Sequence, residues 1–185
     1  KITRETPLHI ASVSKVLTAT ATLMLIDAKK LKLDQKVTTI IENFPYPDVT
    51  IQTLLNHRSG MKNYAYFTFE NNNWDKKKTL TNADIIKVMV EKEIPLERRT
   101  DTGFSYNNTN YALLALIIEK VSGMRYHEAM DKLLFKPLGM KNSFVFDYEK
   151  HKGNVAPSYK GNNMEIGLDY LDGIYGDKNI YSTPR

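Results

Sequence analysis

The sequence has no cysteine and no apolar run long enough to cross a membrane. The absence of cysteine excludes disulfide bonds and thiol chemistry. The longest apolar run, residues 111–118, is far shorter than the roughly 20 residues that span a bilayer. It predicts a buried helix, and we expect no transmembrane segment in this chain.

Histidine is also scarce, and its four copies are scattered. His9, His57, His127 and His151 show none of the short spacings at which metal ligands recur. We therefore expect no metal site and no other cofactor.

Acidic residues are slightly outnumbered by basic ones, 21 against 26, which gives a net charge of +5 and a pI near 9.2. Such an excess raises the possibility of a nucleic-acid partner, because basic patches bind phosphates. The longest basic run, Lys76-Lys77-Lys78, follows the polar Asn71-Asn72-Asn73, a setting typical of a solvated loop. We expect no nucleic-acid partner.

The most informative feature that is present is Ser12-Val13-Ser14-Lys15, at the beginning of a segment with helical periodicity. Residues three apart lie on one helix face with Cβ atoms about 5–6 Å apart, so the Lys15 amine can reach the Ser12 hydroxyl. A desolvated amine beside a serine can act as its base. Free backbone N–H groups at a helix start favour an anion. The pattern predicts a serine acyl-transfer enzyme.

A second Ser-x-x-Lys, Ser59-Gly60-Met61-Lys62, differs in context. It ends a short helical stretch predicted after Thr50, with Gly60 as the helix stop, so Ser59 is interpreted as a turn residue. The first copy instead opens an amphipathic helix predicted to run to about residue 29. Its apolar series is Val13, Val16, Leu17, Thr20, Leu23 and Met24.

Tyr106-Asn107-Asn108 forms another candidate group, just before the buried helix. A phenol next to an ammonium can relay a proton to a leaving group. An asparagine amide can both donate to and accept from a substrate amide. The alternative is a loop followed by a helix in which Asn108 is simply the N-cap.

Several blocks resemble, in order, those of the class C β-lactamase and penicillin-binding serine hydrolase family. They are residues 10–18 (IASVSKVLT), 31–37 (LKLDQKV), 49–60 (VTIQTLLNHRSG), 103–111 (GFSYNNTNY), 119–123 (EKVSG), 136–140 (KPLGM) and 176–183 (GDKNIYST). The resemblance implies an α+β, β-lactamase/transpeptidase-like fold. It also implies export, to the periplasm or cell envelope of a bacterium.

The resemblance assigns roles to four residues. Ser12 matches the acylated serine, Lys15 the lysine that helps to deprotonate it, and Tyr106 the tyrosine that relays a proton to the leaving group. Asn108 matches the asparagine that contacts the acyl side chain. Ser105-Tyr106-Asn107 also fits the Ser-x-Asn motif of class A β-lactamases and many transpeptidases, but the residues that follow favour the Tyr-x-Asn frame.

Family members carry a third motif, Lys-Thr-Gly or His-x-Gly, on a strand after the Ser-Thr block. Here the sequence reaches Arg185 without it, and His151-Lys152-Gly153 precedes that block without a strand pattern. Relatives also place strands ahead of the serine helix. We therefore expect residues 1–185 to form a single incomplete domain, mostly the helical part with some of the sheet edge missing.

Two functions from different classes follow. The first is a serine hydrolase that acts through an acyl-enzyme on a β-lactam, a D-Ala-D-Ala-type peptide or an ester. Its partner is then a small-molecule or peptide substrate, and the oligomeric state is left open. The alternative is a non-catalytic domain of the same fold that binds peptide, peptidoglycan or a protein partner.

Other predictions concern the remaining segments. Thr81-Asn-Ala-Asp84 resembles a capping box before a helix, and another helix is predicted after Arg125. Aromatic residues are dense between positions 61 and 74, where they either line a cleft or pack beneath a loop.

Overall fold

Helix α1 (Ser14–Asp27) follows Ser12 in the computed structural model, which describes residues 2–151 and 153–184. A single 3₁₀ turn (Ala11–Val13) precedes it and contains Ser12. The predicted helix is confirmed, with ends that differ by two residues. At the C-terminal end the difference arises because Lys29 adopts a positive φ of 58°.

The predicted buried face of α1 is wrong. Val13, Val16, Leu23 and Met24 are exposed, with 37–64% of their surface accessible. The buried face instead carries small and polar residues, Ser14, Lys15, Thr18, Ala21, Thr22 and Leu25. The polar members are tolerated inside because they are hydrogen-bonded; Thr22 Oγ1, for example, donates to the Thr18 carbonyl at 2.9 Å.

Six further α-helices follow within the described residues. They are α2 (Ile51–Leu55), α3 (Tyr64–Phe67), α4 (Asn82–Glu91), α5 (Asn108–Ser122), α6 (Tyr126–Met130) and α7 (Tyr148–His151). The capping box before α4 is confirmed, because Thr81 Oγ1 accepts from the Asp84 N–H while the Asp84 carboxylate accepts from the Thr81 N–H. The helix predicted after Thr50 is confirmed but ends at Leu55, well before Gly60.

Helix α5 is the centre of the core. Leu113, Leu114, Ile117 and Ile118 have no accessible surface, and helices α1, α2, α4 and α6 pack around them. The buried helix predicted from the apolar run is therefore confirmed. None of the helices in the two described ranges is long and apolar enough to cross a membrane.

Five short strands lie in the described part of the chain. They are β1 (Leu8–His9), β2 (Phe144–Val145), β3 (Ser158–Tyr159), β4 (Glu165–Ile166) and β5 (Ile180–Ser182). One antiparallel sheet has the order β1-β5-β2, and β3 pairs with β4 in a hairpin. Leu8 lies opposite Ser182, so a strand near the start of the sequence pairs with one near its end.

Helices and strands together confirm the α+β class. The aromatic segment divides between its two interpretations: Tyr64 and Phe67 are buried in the core, whereas Tyr66 and Phe69 are more than half exposed. His151 ends a helix rather than a strand, and Lys152 of His151-Lys152-Gly153 lies outside the described residues.

Candidate active site

The structure brings Ser12 and Lys15 together. Ser12 is exposed at the surface, and the Lys15 side chain extends back to it, with Nζ 3.1 Å from Ser12 Oγ. Lys15 itself is only 5% exposed. The pair therefore combines an accessible hydroxyl with a shielded amine, as a nucleophile and its base require.

A second partner fixes the Lys15 amine from the opposite end of the sequence. Nζ donates to the backbone carbonyl of Asp177 at 2.7 Å. Thr18, one helical turn after Lys15, donates to the neighbouring carbonyl of Gly176 at 2.6 Å. Two successive carbonyls of the segment before β5 thus hold the buried face of α1.

The side chain of Asp177 is buried beside these contacts. It is 1% exposed, and its Oδ2 accepts a hydrogen bond from the Tyr64 hydroxyl at 2.8 Å. Oδ1 has no hydrogen-bond partner within the described residues. Burial raises the pKa of this carboxyl, while the Tyr64 hydroxyl and the Lys15 ammonium act in the opposite direction.

Tyr106 lies next to the amine. Lys15 Nζ is 5.1 Å from the centroid of the Tyr106 ring, and the tyrosine is 52% exposed. No hydrogen bond joins its hydroxyl to a residue in the described part of the chain. The ring is therefore positioned by its backbone and its ring contacts, while the hydroxyl has no protein partner among the described residues.

The two asparagines after Tyr106 have different environments. Asn107 is the N-cap of α5: its Oδ1 accepts from the Thr109 N–H at 2.8 Å, and its Nδ2 donates to the Met61 carbonyl. Asn108 is the first residue of the helix, so its interpretation as the N-cap is wrong. Its Oδ1 is shielded from solvent and has no hydrogen-bond partner among the described residues. The Asn107 side chain is therefore occupied by hydrogen bonds that stabilise the fold, whereas Asn108 Oδ1 is an acceptor without a partner among the described residues.

Ser59 has a different environment from Ser12. It is 1% exposed, and its hydroxyl donates to Asn110 Oδ1 at 2.6 Å and accepts from the Met61 N–H. Lys62 instead pairs with Glu70, with 3.8 Å between Nζ and the carboxylate. The second Ser-x-x-Lys does not form a serine–lysine pair, because its residues are not on a common helix.

His57 was considered in the sequence only as a metal ligand, yet it packs against Tyr106. Their ring centroids are 4.7 Å apart, and the imidazole is 8% exposed. Burial lowers the pKa of His57, and the nearby Lys15 ammonium adds to that effect. In the sequence, only the LLNHRSG block pointed to His57, because its partners Ser105, Tyr106 and Asn107 lie about fifty positions later in the chain.

A large cavity of about 1490 Å³ lies apart from this cluster. Most of its lining comes from residues 145–181, and Lys76, Lys77, Thr79, Glu119, Arg125, Tyr126 and His127 complete it; Ser12, Lys15 and Tyr106 are not part of it. Within the described ranges, no three His, Asp or Glu side chains converge as metal ligands would. The candidate site is therefore identified from the geometry of its side chains, and neither this cavity nor a metal-ligand cluster defines it.

Comparison with known proteins places this chain in a family. Residues 1–185 match the family model described as Beta-lactamase. The chain belongs to the Beta-lactamase family. The resemblance drawn from the ordered sequence blocks is thereby confirmed.

Three proteins illustrate the similarity of this chain to known proteins. Penicillin-binding protein 4* of Bacillus subtilis (strain 168) is 32% identical over 95% of this chain and 42% of its own length. Teichoic acid D-alanine hydrolase of Staphylococcus aureus is 25% identical over 100% of this chain and 45% of its own. The crystal structure of D-amino acid amidase from Ochrobactrum anthropi SV3 superposes with a TM-score of 0.78 at 27% identity, covering 100% of this chain and 55% of that chain.

The comparison with the amidase confirms the β-lactamase/transpeptidase-like fold. The chain spans less than half the length of the two curated relatives. The names of the relatives describe a serine hydrolase superfamily.

Proposed function

We propose that this chain supplies the nucleophile, base and proton relay of a serine hydrolase that acts through an acyl-enzyme. The observation that carries the proposal is the exposed Ser12 hydroxyl 3.1 Å from the buried Lys15 amine. Membership of a family whose relatives are named hydrolases and amidases supports it.

In the proposed reaction the Lys15 ammonium first loses a proton to solvent, and the resulting amine takes the proton of Ser12 as Oγ bonds to the substrate carbonyl carbon. The bond from that carbon to the leaving nitrogen or oxygen then breaks, and Tyr106 donates a proton to the leaving atom. Lys15 returns the proton to Tyr106, which lies beside it. A water molecule then attacks the acyl carbon while Lys15 takes a proton from it, and as the bond from that carbon to Ser12 Oγ breaks, Lys15 returns the proton to Oγ and the acid product leaves.

Two further groups fit this scheme. Ser12 lies in the 3₁₀ turn before α1, where the Val13 N–H donates to the Ile10 carbonyl and the Ser14 N–H is also bonded within the turn, so we assign the Ser12 N–H as a donor to the oxyanion. The unpartnered Oδ1 of Asn108 provides an acceptor for an N–H of the acyl group. The full hydrogen-bonding of Asn107 favours the Tyr-x-Asn frame over Ser-x-Asn.

For the substrate we propose an amide, ester or β-lactam whose acyl group resembles a D-amino acid. One relative is named for hydrolysis of D-alanine from teichoic acid, another for D-amino acid amides, and a third for binding penicillin. Teichoic acid belongs to the bacterial cell envelope, which supports our proposal of an exported protein acting there.

Covalent labelling tests the proposal. The protein, both as these 185 residues and as expressed from its complete natural reading frame, is exposed to a fluorescent penicillin and separately to a fluorophosphonate. Intact mass and peptide mapping then locate the adduct. We expect the adduct on Ser12, its loss in Ser12→Ala and its retention in the matched control Ser59→Ala.

The non-catalytic alternative predicts a different result. A folded protein without a Ser12 adduct from either reagent, in either form, overturns the hydrolase proposal and leaves a binding domain. Loss of labelling in folded Ser59→Ala with labelling retained in Ser12→Ala would mean that the wrong serine has been chosen.

A further inference from the structure

Residue 57 contacts the Tyr106 segment at three successive positions. The His57 carbonyl accepts from the Ser105 N–H at 2.9 Å, and the His57 Nδ1 accepts from the Asn107 N–H at 3.1 Å. Between these two bonds, the imidazole ring packs on the Tyr106 ring at 4.7 Å. One residue thus holds the backbone on both sides of Tyr106 and also supports its ring.

The hydrogen bonds also define the state of the imidazole. The Ser59 hydroxyl donates to Asn110 Oδ1, which orients the Asn110 amide so that its Nδ2 faces His57 Nδ1 at 3.2 Å. Nδ1 therefore accepts from an amide side chain and a backbone N–H. It carries no proton, so His57 is neutral with its hydrogen on Nε2.

The surroundings of the ring favour this neutral state. The titratable groups that face it are the Lys15 ammonium and the phenols of Tyr106 and Tyr111, the latter with its ring centroid 5.0 Å away. A proton on Nδ1 would oppose the Asn107 and Asn110 donors and would place a second positive charge near Lys15. Protonation is therefore expected to disrupt the Tyr106 segment.

We propose that His57 is the positioning residue of Tyr106: it orients the proton relay through its carbonyl, its Nδ1 acceptor and its ring. This inference rests on the proposed function. Tyr106 needs such support because it is half-exposed and its hydroxyl has no hydrogen bond to a described residue. A relay displaced by about 1 Å can lose on the order of a hundred-fold in rate.

Two substitutions separate the contacts of His57. His57→Phe keeps a ring but removes the acceptor, whereas His57→Asn keeps an acceptor near the Nδ1 position and cannot be protonated at neutral or mildly acidic pH. Asparagine also suits the left-handed backbone of this residue, whose φ is 57°. His127→Phe, in α6 and outside these contacts, is the matched control.

The measurement is the second-order rate constant for acylation by the fluorescent penicillin, in the protein expressed from its natural reading frame. We expect His57→Phe to lower it by roughly 10- to 100-fold, with His57→Asn much closer to the wild type and His127→Phe unchanged. In a Tyr106→Phe background, His57→Phe should cause little further loss, because the residue through which it acts is already disabled.

The pH profile is the second readout and needs only His57→Asn. Below the pKa of His57, which burial lowers from its ordinary value, the wild-type rate should fall more steeply than the rate of the variant, because only the wild type protonates residue 57. This readout remains if His57→Phe fails to fold, and a purely structural role would not change it.

The outcomes are distinguishable from those of the function test. Equal losses from His57→Phe with and without Tyr106, or identical pH profiles for wild type and His57→Asn, overturn the positioning role while Ser12 remains labelled by the fluorophosphonate. Absence of any Ser12 adduct in the wild type overturns the hydrolase proposal, and the positioning role with it.

Discussion

The Lys15 amine lies between two oxygen atoms, the Ser12 hydroxyl three residues earlier and the backbone carbonyl of Asp177 far along the sequence. Its Nζ lies 3.1 Å from Ser12 Oγ and 2.7 Å from the Asp177 carbonyl. A buried ammonium with two oxygen partners has a defined position. At the residue scale, we therefore expect the site to depend on the ability of this amine to accept a proton as well as on its positive charge.

Lys15→Arg tests that dependence. Arginine keeps the positive charge but does not release its proton at working pH, so it cannot serve as the base. We expect acylation by the fluorescent penicillin to slow by about 10²- to 10⁴-fold, as for loss of a general base. Thermal unfolding checks that the variant is folded, and wild-type acylation by a folded Lys15→Arg would contradict the proposed role.

Asp177 gives a prediction about stability and pH. Its pKa is raised by burial in the folded protein, so between the ordinary value and the raised one the folded state holds a proton that the unfolded chain has released. Stability therefore falls as pH rises through that window. We expect Asp177→Asn, which retains an acceptor for Tyr64, to raise the free energy of unfolding at pH 7, with a gain that shrinks toward acid pH.

Urea denaturation between pH 4 and pH 7 measures this difference. The matched control is Asp48→Asn, whose carboxylate is 79% exposed beside Lys36 and should change stability little at any pH. A gain from Asp177→Asn that is independent of pH would contradict the argument, because ionisation would then not be its cause.

At the scale of elements, the sequence predicted helices better than the surfaces they bury. The α4 cap and the α5 run were readable because their signals are local, a capping box and an uninterrupted apolar segment. The buried face of α1 was not readable. Val16 and Leu23 are exposed, while mainly small and polar residues face the protein, where Thr18 finds its partner in a distant segment.

The Gly60 turn is an element whose geometry demands glycine. Its φ is 78°, and a Cβ there would collide with the Arg98 carbonyl oxygen. We expect Gly60→Ala to lower the free energy of unfolding by at least about 2–3 kcal/mol, since backbone strain and a clash act together.

The control for that turn is Gly123→Ala. Gly123 ends α5 with a φ of 69°, but its Cβ would meet nothing within 4 Å. Only the left-handed conformation is then penalised, at about 1 kcal/mol. Denaturant unfolding of the two variants should rank them in this order, and equal losses would exclude the clash with Arg98 as a contributor.

At the scale of the whole molecule, the two ends of the chain meet at the candidate site. Besides the Lys15 contact, Thr18 Oγ1 donates to the Gly176 carbonyl, and β1 pairs with β5. Thr18→Val keeps the side-chain shape and leaves that buried carbonyl without its donor. We expect a loss of about 1–3 kcal/mol in unfolding free energy and slower Ser12 acylation, because the adjacent carbonyl holds Lys15.

Thr20→Val is the matched control for this contact. Thr20 is exposed, and its hydroxyl bonds only to the Val16 carbonyl one turn earlier. Its loss should change stability by no more than about 0.5 kcal/mol and leave acylation unchanged. Equal effects of the two substitutions would show that the Gly176 contact contributes nothing specific.

The long-range contacts also mark the limit of what the sequence could reveal about the site. Ser12, Lys15, Tyr106 and Asn108 were selectable because each pair has a short, chemically meaningful spacing. His57 and Asp177 were not, since they meet their partners across 50 and 162 positions of sequence. Only folding brings these groups together, and no local periodicity encodes that meeting.

The 162-residue separation between Lys15 and the carbonyl that holds it has a consequence for biosynthesis. During synthesis the serine helix is made long before position 177, so in the emerging chain the proposed nucleophile Ser12 lies beside a Lys15 amine that the Asp177 carbonyl does not yet hold. Contacts this distant in sequence raise the contact order and form late during folding. If the proposed roles hold, Ser12 should react with acylating reagents only after β5 docks, and chains that lack position 177 should not be labelled.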